Sequence, residues 1–116
     1  MEIKDVLKHE DFVFALCTFL DKFKLSEKKE CLLKIEPEDI SNKERKCILA
    51  AVAHKLSNDN NLKPPDWVMK KEYIMDKPLY SNYTTDEEYQ DYLKSVAPFE
   101  FASRNIYFEK NAISRV

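Results

Sequence analysis

The residues of this chain with chemistry to offer are two histidines, three cysteines, a run of carboxylates, an arginine at 104 and seven polar aromatics. His9 and His54 lie far from each other, and Cys17, Cys31 and Cys47 are widely spaced. A zinc site needs ligands in close pairs such as C-x2-C or H-x3-H, and neither pattern occurs. His54 could meet a cysteine in space as a nucleophile and its base. Otherwise it lies on the flank of a helix, with His9 exposed to solvent. Asp86, Glu87, Glu88 and Asp91 form an acidic cluster, a type that does acid–base work or binds a cation. The same cluster at a helix start is also what the helix dipole favours. Arg104 precedes Asn105 and the apolar triplet Ile106-Tyr107-Phe108. It can pair with a buried carboxylate and pin the tail, or contact a partner's phosphate or carboxylate.

Trp67 and the tyrosines at 73, 80, 83, 89, 92 and 107 concentrate in the second half of the chain. Aromatics with a polar tip either cover a core or line a partner face. The candidate partner-binding set is Trp67, Tyr73, Tyr80, Tyr83, Arg104 and Tyr107. No catalytic residue, cofactor ligand or metal ligand is assigned.

There is no glycine in 116 residues, where an ordinary chain carries about 7%. Dinucleotide loops, P-loops and nucleophile elbows all need a residue without a Cβ, so all are excluded. Tight β-hairpins prefer Asn-Gly or Asp-Gly turns, so a β-rich fold is disfavoured as well. The charge balance is 19 basic against 21 acidic side chains, a net of -2. Neither half is basic: residues 1–58 carry 11 of each sign, and residues 59–116 carry 8 basic and 10 acidic. Nucleic-acid binding therefore lacks its electrostatic footprint. No apolar run approaches the ~18 residues of a membrane span, and the N-terminus does not read as a signal peptide. Three cysteines in apolar contexts predict buried free thiols in a reducing cytosol.

The elements that must position these residues are helical. Phe12, Ala15, Leu16, Phe19, Leu20 and Phe23 recur at helical spacing and predict a helix over about 10–24. Val13, Phe14 and Cys17 widen its apolar surface, so it is expected at the centre of the core. A lead-in helix is expected over Ile3 to Leu7. Ser26 is the expected N-cap of a short helix from Glu27 to Lys34, burying Cys31, Leu32 and Ile35 and ended by Pro37. Ser41-Asn42-Lys43-Glu44 has the S-x-x-E capping-box pattern and opens a helix through Leu56. Asn58-Asp59-Asn60-Asn61 ends it, asparagine being the best substitute for glycine in the left-handed region.

Leu62-Lys63-Pro64-Pro65-Asp66-Trp67 then reads as an extended crossover. A turn is expected near Lys71 to Met75, followed by a loop. Thr85 to Glu88 is a second capping box, opening a helix to about Ser95 with Tyr89, Tyr92, Leu93 and Val96 as its apolar stripe. Pro98 begins another short helix. Ile106 to Phe108 is β-prone, and Glu109 to Ser114 suits a final turn. A helix-turn-helix reading fails, because residues 36–40 are not a tight turn and the helix after them is apolar rather than basic.

Several pieces in order resemble a small bacterial α-helical domain. They are Ala50-Ala51-Val52-Ala53-His54-Lys55-Leu56, Leu62-Lys63-Pro64-Pro65-Asp66-Trp67, Pro78, Ala97-Pro98-Phe99, Arg104-Asn105-Ile106-Tyr107-Phe108 and Ile113-Ser114-Arg115-Val116. That domain follows a helix-turn-helix module in bacterial regulators and also stands alone in antitoxin-like proteins. The resemblance implies partner binding and brings no catalytic residues. No DNA-binding module is expected within these 116 residues.

The expectation is an all-α fold in one domain over residues 1–116. It is a compact bundle of about four to six helices with a proline-containing irregular crossover and a short extended C-terminal segment. The expected role is a non-catalytic cytoplasmic protein-interaction module, antitoxin-like or regulatory. It binds a protein partner rather than nucleic acid or a membrane, with no cofactor, and homo-oligomer formation is left open. The alternative is a small-ligand binder or an enzyme whose site assembles only in three dimensions.

Overall fold

Asparagine and aspartate side chains start the three longest helices, and asparagines turn the chain where glycine is missing. A computed structural model of the chain describes residues 2–7, 10–34, 36–37 and 42–109. His9, Ile35, Ser41, Arg115 and the final turn expected up to Ser114 fall outside these, the turn except for Glu109. Among the described residues the helices are α1 (Ile3–Val6), α2 (Phe12–Leu25), α3 (Lys29–Leu33), α4 (Lys43–Asp59), α5 (Glu87–Val96) and α6 (Phe99–Ala102). Short 3-10 turns span Asp66–Met69, Lys71–Tyr73 and Ser81–Tyr83.

The helical expectation holds, with one addition. Strand β1 (Leu79–Tyr80) pairs in parallel with β2 (Ile106–Tyr107), Leu79 opposite Ile106 and Tyr80 opposite Tyr107. The β-prone tail thus finds its partner in a segment expected to be loop. A two-residue strand has too few alternating positions to be visible as a pattern.

The expected stripe of α2 is its buried face: Phe12, Ala15, Leu16, Phe19, Leu20 and Phe23. Val13 and Phe14 are exposed, so α2 covers the core and is not its centre. That place belongs to α4. Leu49, Ala50, Ala51, Val52 and Ala53 are all buried, and alanines let neighbours approach the helix from several sides. α6 and the first two 3-10 turns pack on it. α1, α2 and α3 pack on one another. Their apolar residues join one continuous cluster with those of α4.

Helix starts fall one or more residues later than the sequence patterns suggest. α4 is capped by Asn42, whose side-chain oxygen accepts from Arg45 N at 3.1 Å. α5 is capped by Asp86, which accepts from Glu88 N at 3.0 Å. α3 begins after Lys28 with no side-chain cap, and the Ser26 hydroxyl accepts from Lys28 N in the turn before it. The cysteines are free but not uniformly buried: Cys47 is buried, Cys17 half-buried and Cys31 exposed.

Positive φ falls on Asn61 (57°), Tyr83 (53°) and Asn105 (66°). Two of the three are asparagine, the residue best suited to the left-handed region after glycine. Removing the observed cap tests the start of α4. Asn42→Ala should lower stability by about 1 kcal/mol in urea unfolding. A larger loss for Ser41→Ala would move the cap back to the serine.

Candidate functional site

α4 carries two polar residues into the interior, His54 and Ser57. Ser57 is satisfied within the helix, its hydroxyl donating to Ala53 O at 2.9 Å. His54, 7% exposed, meets Arg104, 4% exposed, which follows α6. Arg104 Nη1 lies 3.0 Å from His54 Nδ1. The same nitrogen donates to Glu100 O at 2.7 Å, and Nη2 donates to Val68 O at 2.7 Å. One guanidinium therefore ties α4, the Asp66–Met69 turn and α6 together.

A guanidinium has donors and no acceptor. His54 Nδ1 must therefore present its lone pair, which makes the ring neutral with its proton on Nε2. The electrostatics agree. Burial and the neighbouring Arg104 charge hold the imidazole below its ordinary value of 6.5, and Glu100 opposes them. Burial also lowers the Arg104 value, without removing its charge. The buried carboxylate that could have pinned Arg104 is absent from these contacts. The Glu100 carboxylate instead accepts from Asn58 Nδ2 at 2.9 Å.

These groups do not form a nucleophile and its base. Cys47 lies seven residues from His54 on the same helix, a rise of roughly 10 Å. Its Sγ faces Glu72 O at 4.0 Å, and burial pushes the thiol up from its ordinary value. The acidic residues from Asp86 to Asp91 are exposed in the first turns of α5, with Asp86 as the cap. Among the described residues no three His, Cys, Asp or Glu side chains gather as metal ligands. No helix there is long and apolar enough to cross a membrane.

The candidate aromatics divide into two groups. Trp67 and Tyr73 are buried and meet edge to face, ring centroids 5.5 Å apart. Trp67 Nε1 donates to Leu33 O at 3.0 Å, locking the first 3-10 turn to α3. Tyr73 donates its hydroxyl to Glu36 at 2.9 Å, and Lys70 pairs with the same carboxylate at 2.7 Å. Partial burial acts to raise the Glu36 carboxyl, but these hydrogen bonds outweigh it and hold it below its ordinary value. Trp67, Tyr73 and Arg104 are thus occupied inside the fold.

Tyr80, Tyr83 and Tyr107 face outward. Tyr80 and Tyr107 are half-buried cross-strand partners on β1 and β2, stacked with centroids 5.5 Å apart and planes 27° apart. Their neighbours Leu79 and Ile106 turn the other way into the core, as alternation along a strand requires. Lys94 of α5 lies 5.8 Å over the Tyr80 ring. Its ammonium is raised by a hydrogen bond with the Tyr80 hydroxyl. Tyr83 is 73% exposed in its left-handed conformation and donates to Glu44 at 3.1 Å.

α5 carries two more tyrosines. It packs on β2 yet buries only Leu93 among its ten residues. Tyr89 and Tyr92, expected on a buried stripe, stack on each other at 6.1 Å and remain partly or largely exposed. Tyr89 also donates to Glu109, just beyond β2. The i, i+3 spacing of these tyrosines was visible in the sequence. Their outward direction depends on the neighbours of α5, which was not. The contact of His54 with Arg104, 50 positions apart, had no local signal. No family model, no curated protein and no solved structure matches this chain.

The Arg104 contacts carry a mutational expectation. Arg104→Met strands the acceptors at Val68, Glu100 and His54, and should cost about 3 kcal/mol in chemical denaturation. Arg104→Lys should restore little, because one ammonium cannot reproduce the forked geometry.

Proposed function

We propose that this chain is a cytoplasmic protein-interaction module, antitoxin-like or regulatory in role, built on a small helical bundle. Its partner face is the tyrosine band formed by Tyr80, Tyr107, Tyr89 and Tyr92, with Tyr83 at the side. The observation that carries this reading is the pair of stacked tyrosines on β1 and β2, held outward while their neighbours anchor the strands in the core. Tyrosine suits such a face: it supplies a large, stiff contact area with a hydrogen-bonding tip at little entropic cost. The pre-stacked rings have already lost much of their freedom, which lowers the penalty of binding.

The dispersal of His54, Cys47 and the carboxylates supports binding over catalysis. The resemblance to antitoxin-like and regulator-linked domains points the same way, and to a neighbouring gene product as the first partner to test. A photo-crosslinking residue placed at Tyr107 should give a discrete adduct with the co-expressed neighbour. The same residue at Lys22, on the exposed side of α2, should give none. Tyr92→Ala should weaken the complex about 30-fold, the effect of losing ~2 kcal/mol at a hot spot. Equal adducts from both positions, or no adduct from Tyr107, would overturn the assignment of this face.

A further inference from the structure

The His54–Arg104 contact joins the interior of α4 to the strand that carries Tyr107. Arg104 is followed directly by Asn105 and β2. Its backbone oxygen accepts from Met75 N at 3.0 Å, and Asn105 O accepts from Leu79 N at 2.9 Å. The Asn105 side chain also donates to Met75 O at 3.3 Å. The guanidinium and the strand pairing therefore belong to one short piece of backbone. We infer that the His54–Arg104 contact is an acid-sensitive latch: a proton taken up from solvent at His54 Nδ1 breaks it and loosens the β1–β2 pairing that presents Tyr80 and Tyr107.

The chemistry follows from donor count. Nδ1 can accept the Arg104 N–H only through its lone pair. A proton bound there leaves two N–H groups facing each other across 3.0 Å, and two positive charges side by side in the interior. The imidazolium cannot remain in that geometry. Arg104 must withdraw from the ring or the ring from Arg104.

The charged groups acting on the ring are Arg104, which disfavours its protonation, and Glu100, which favours it. The Glu100 carboxylate is already engaged with Asn58. On α4 itself, Lys55 is paired with Asp59 at 2.6 Å and Cys47 is a thiol raised by burial. From α6 the Phe99 ring meets the imidazole edge to face at 6.2 Å. Phe99 is 69% exposed, so a thin aromatic cover separates the latch from solvent. The Asp66–Met69 turn contributes the carbonyl of Val68.

The sign of the pH dependence is fixed by the depressed native value. In the unfolded chain His54 takes up its proton at about its ordinary 6.5, and in the folded chain only at lower pH. The stability tied to the neutral ring is complete above 6.5. It is lost as pH falls from there through the native value. The Glu36 carboxyl is also held below its ordinary value, so its contribution is complete above 4.5 and is lost only as pH falls from there.

The consequence for partner binding rests on the tyrosine-band reading, whereas the latch itself can be measured with no partner present. In the full chain, NMR follows the His54 ring and the exchange protection of the Met75 and Leu79 amides as pH is lowered from 7.5 until the ring has titrated. Protection, corrected for intrinsic exchange, should fall at least tenfold with the same midpoint as ring protonation. The Phe19 and Leu20 amides in α2 should keep theirs. His54→Gln supplies an oxygen acceptor that does not titrate, and should make Met75 and Leu79 protection independent of pH. Protection that falls while the ring stays neutral, or a ring that titrates with protection unchanged, overturns the latch in the unaltered chain, whatever the variant does. With the latch upheld, a complex insensitive to His54 protonation would overturn the tyrosine-band link alone.

Discussion

Arg104 holds a full positive charge in the interior with no carboxylate among its contacts with the described residues. Such a charge is tolerated only when its donors are satisfied, because the desolvation penalty is several kcal/mol. Here two backbone carbonyls and one imidazole lone pair meet that demand. Each acceptor imposes a condition on the fold. Val68 O must point inward, which the 3-10 turn at Asp66–Met69 provides. Glu100 O must be reachable from Arg104, which the single turn of α6 provides. His54 must be neutral and face α6, which its position on α4 provides. A lysine or a protonated histidine would break the set, so the packing of this half depends on one residue's geometry.

The missing glycines shape the same region. Asn105 takes a φ of 66° immediately after Arg104 and redirects the chain into β2. Asparagine pays a smaller steric penalty there than a branched or bulky residue, and its side chain bonds Met75 O across the turn. Asn61 serves the end of α4 in the same way. Tyr83 is the exception, since an aromatic in this region has no such compensation. Its ring is largely exposed, so packing does not account for the conformation. Its hydroxyl contact with Glu44 gives the strained residue a fixed direction.

How much of this was legible depends on the range of the interaction. The buried stripe of α2 was readable residue by residue, because helical spacing is a local property. The asparagine run after α4 and the proline before α6 were readable for the same reason. The start of α4 was displaced by one residue because Ser41 and Asn42 are both good caps, and only three-dimensional direction separates them. The small Ala50-Ala51 pair was legible as a place for another helix to approach, but the central place of α4 was not. The alanines of α4 score as weakly apolar, yet their small size is what lets α6 and two 3-10 turns close on it. Cys31 looked apolar by context and is exposed, while Leu32 and Leu33 take the buried positions of α3. The β1–β2 pair and the Arg104 contacts join positions far apart, and no spacing rule reaches that distance.

The aromatics show why burial type matters more than residue type. Tyr73 and Tyr80 have the same ring and the same hydroxyl. Tyr73 has its ring against Trp67 and its hydroxyl on Glu36, so both halves of the side chain are consumed inside the fold. Tyr80 spends one face on Tyr107 and keeps part of its surface in water, with Lys94 over the ring. A buried tyrosine contributes to stability through contacts already made. A half-exposed, pre-stacked pair still has apolar surface to remove from water, and that surface can be covered only from outside. Lone exposed apolar groups such as Leu25 are ordinary on any protein surface. The Tyr80–Tyr107 pair sits on strands anchored by Leu79 and Ile106, and the Tyr89–Tyr92 pair on a helix anchored by Leu93. Arg104 and its histidine hold the strand under one of those pairs. The interior charge and the exterior aromatic band are therefore parts of one arrangement, linked through three residues of backbone.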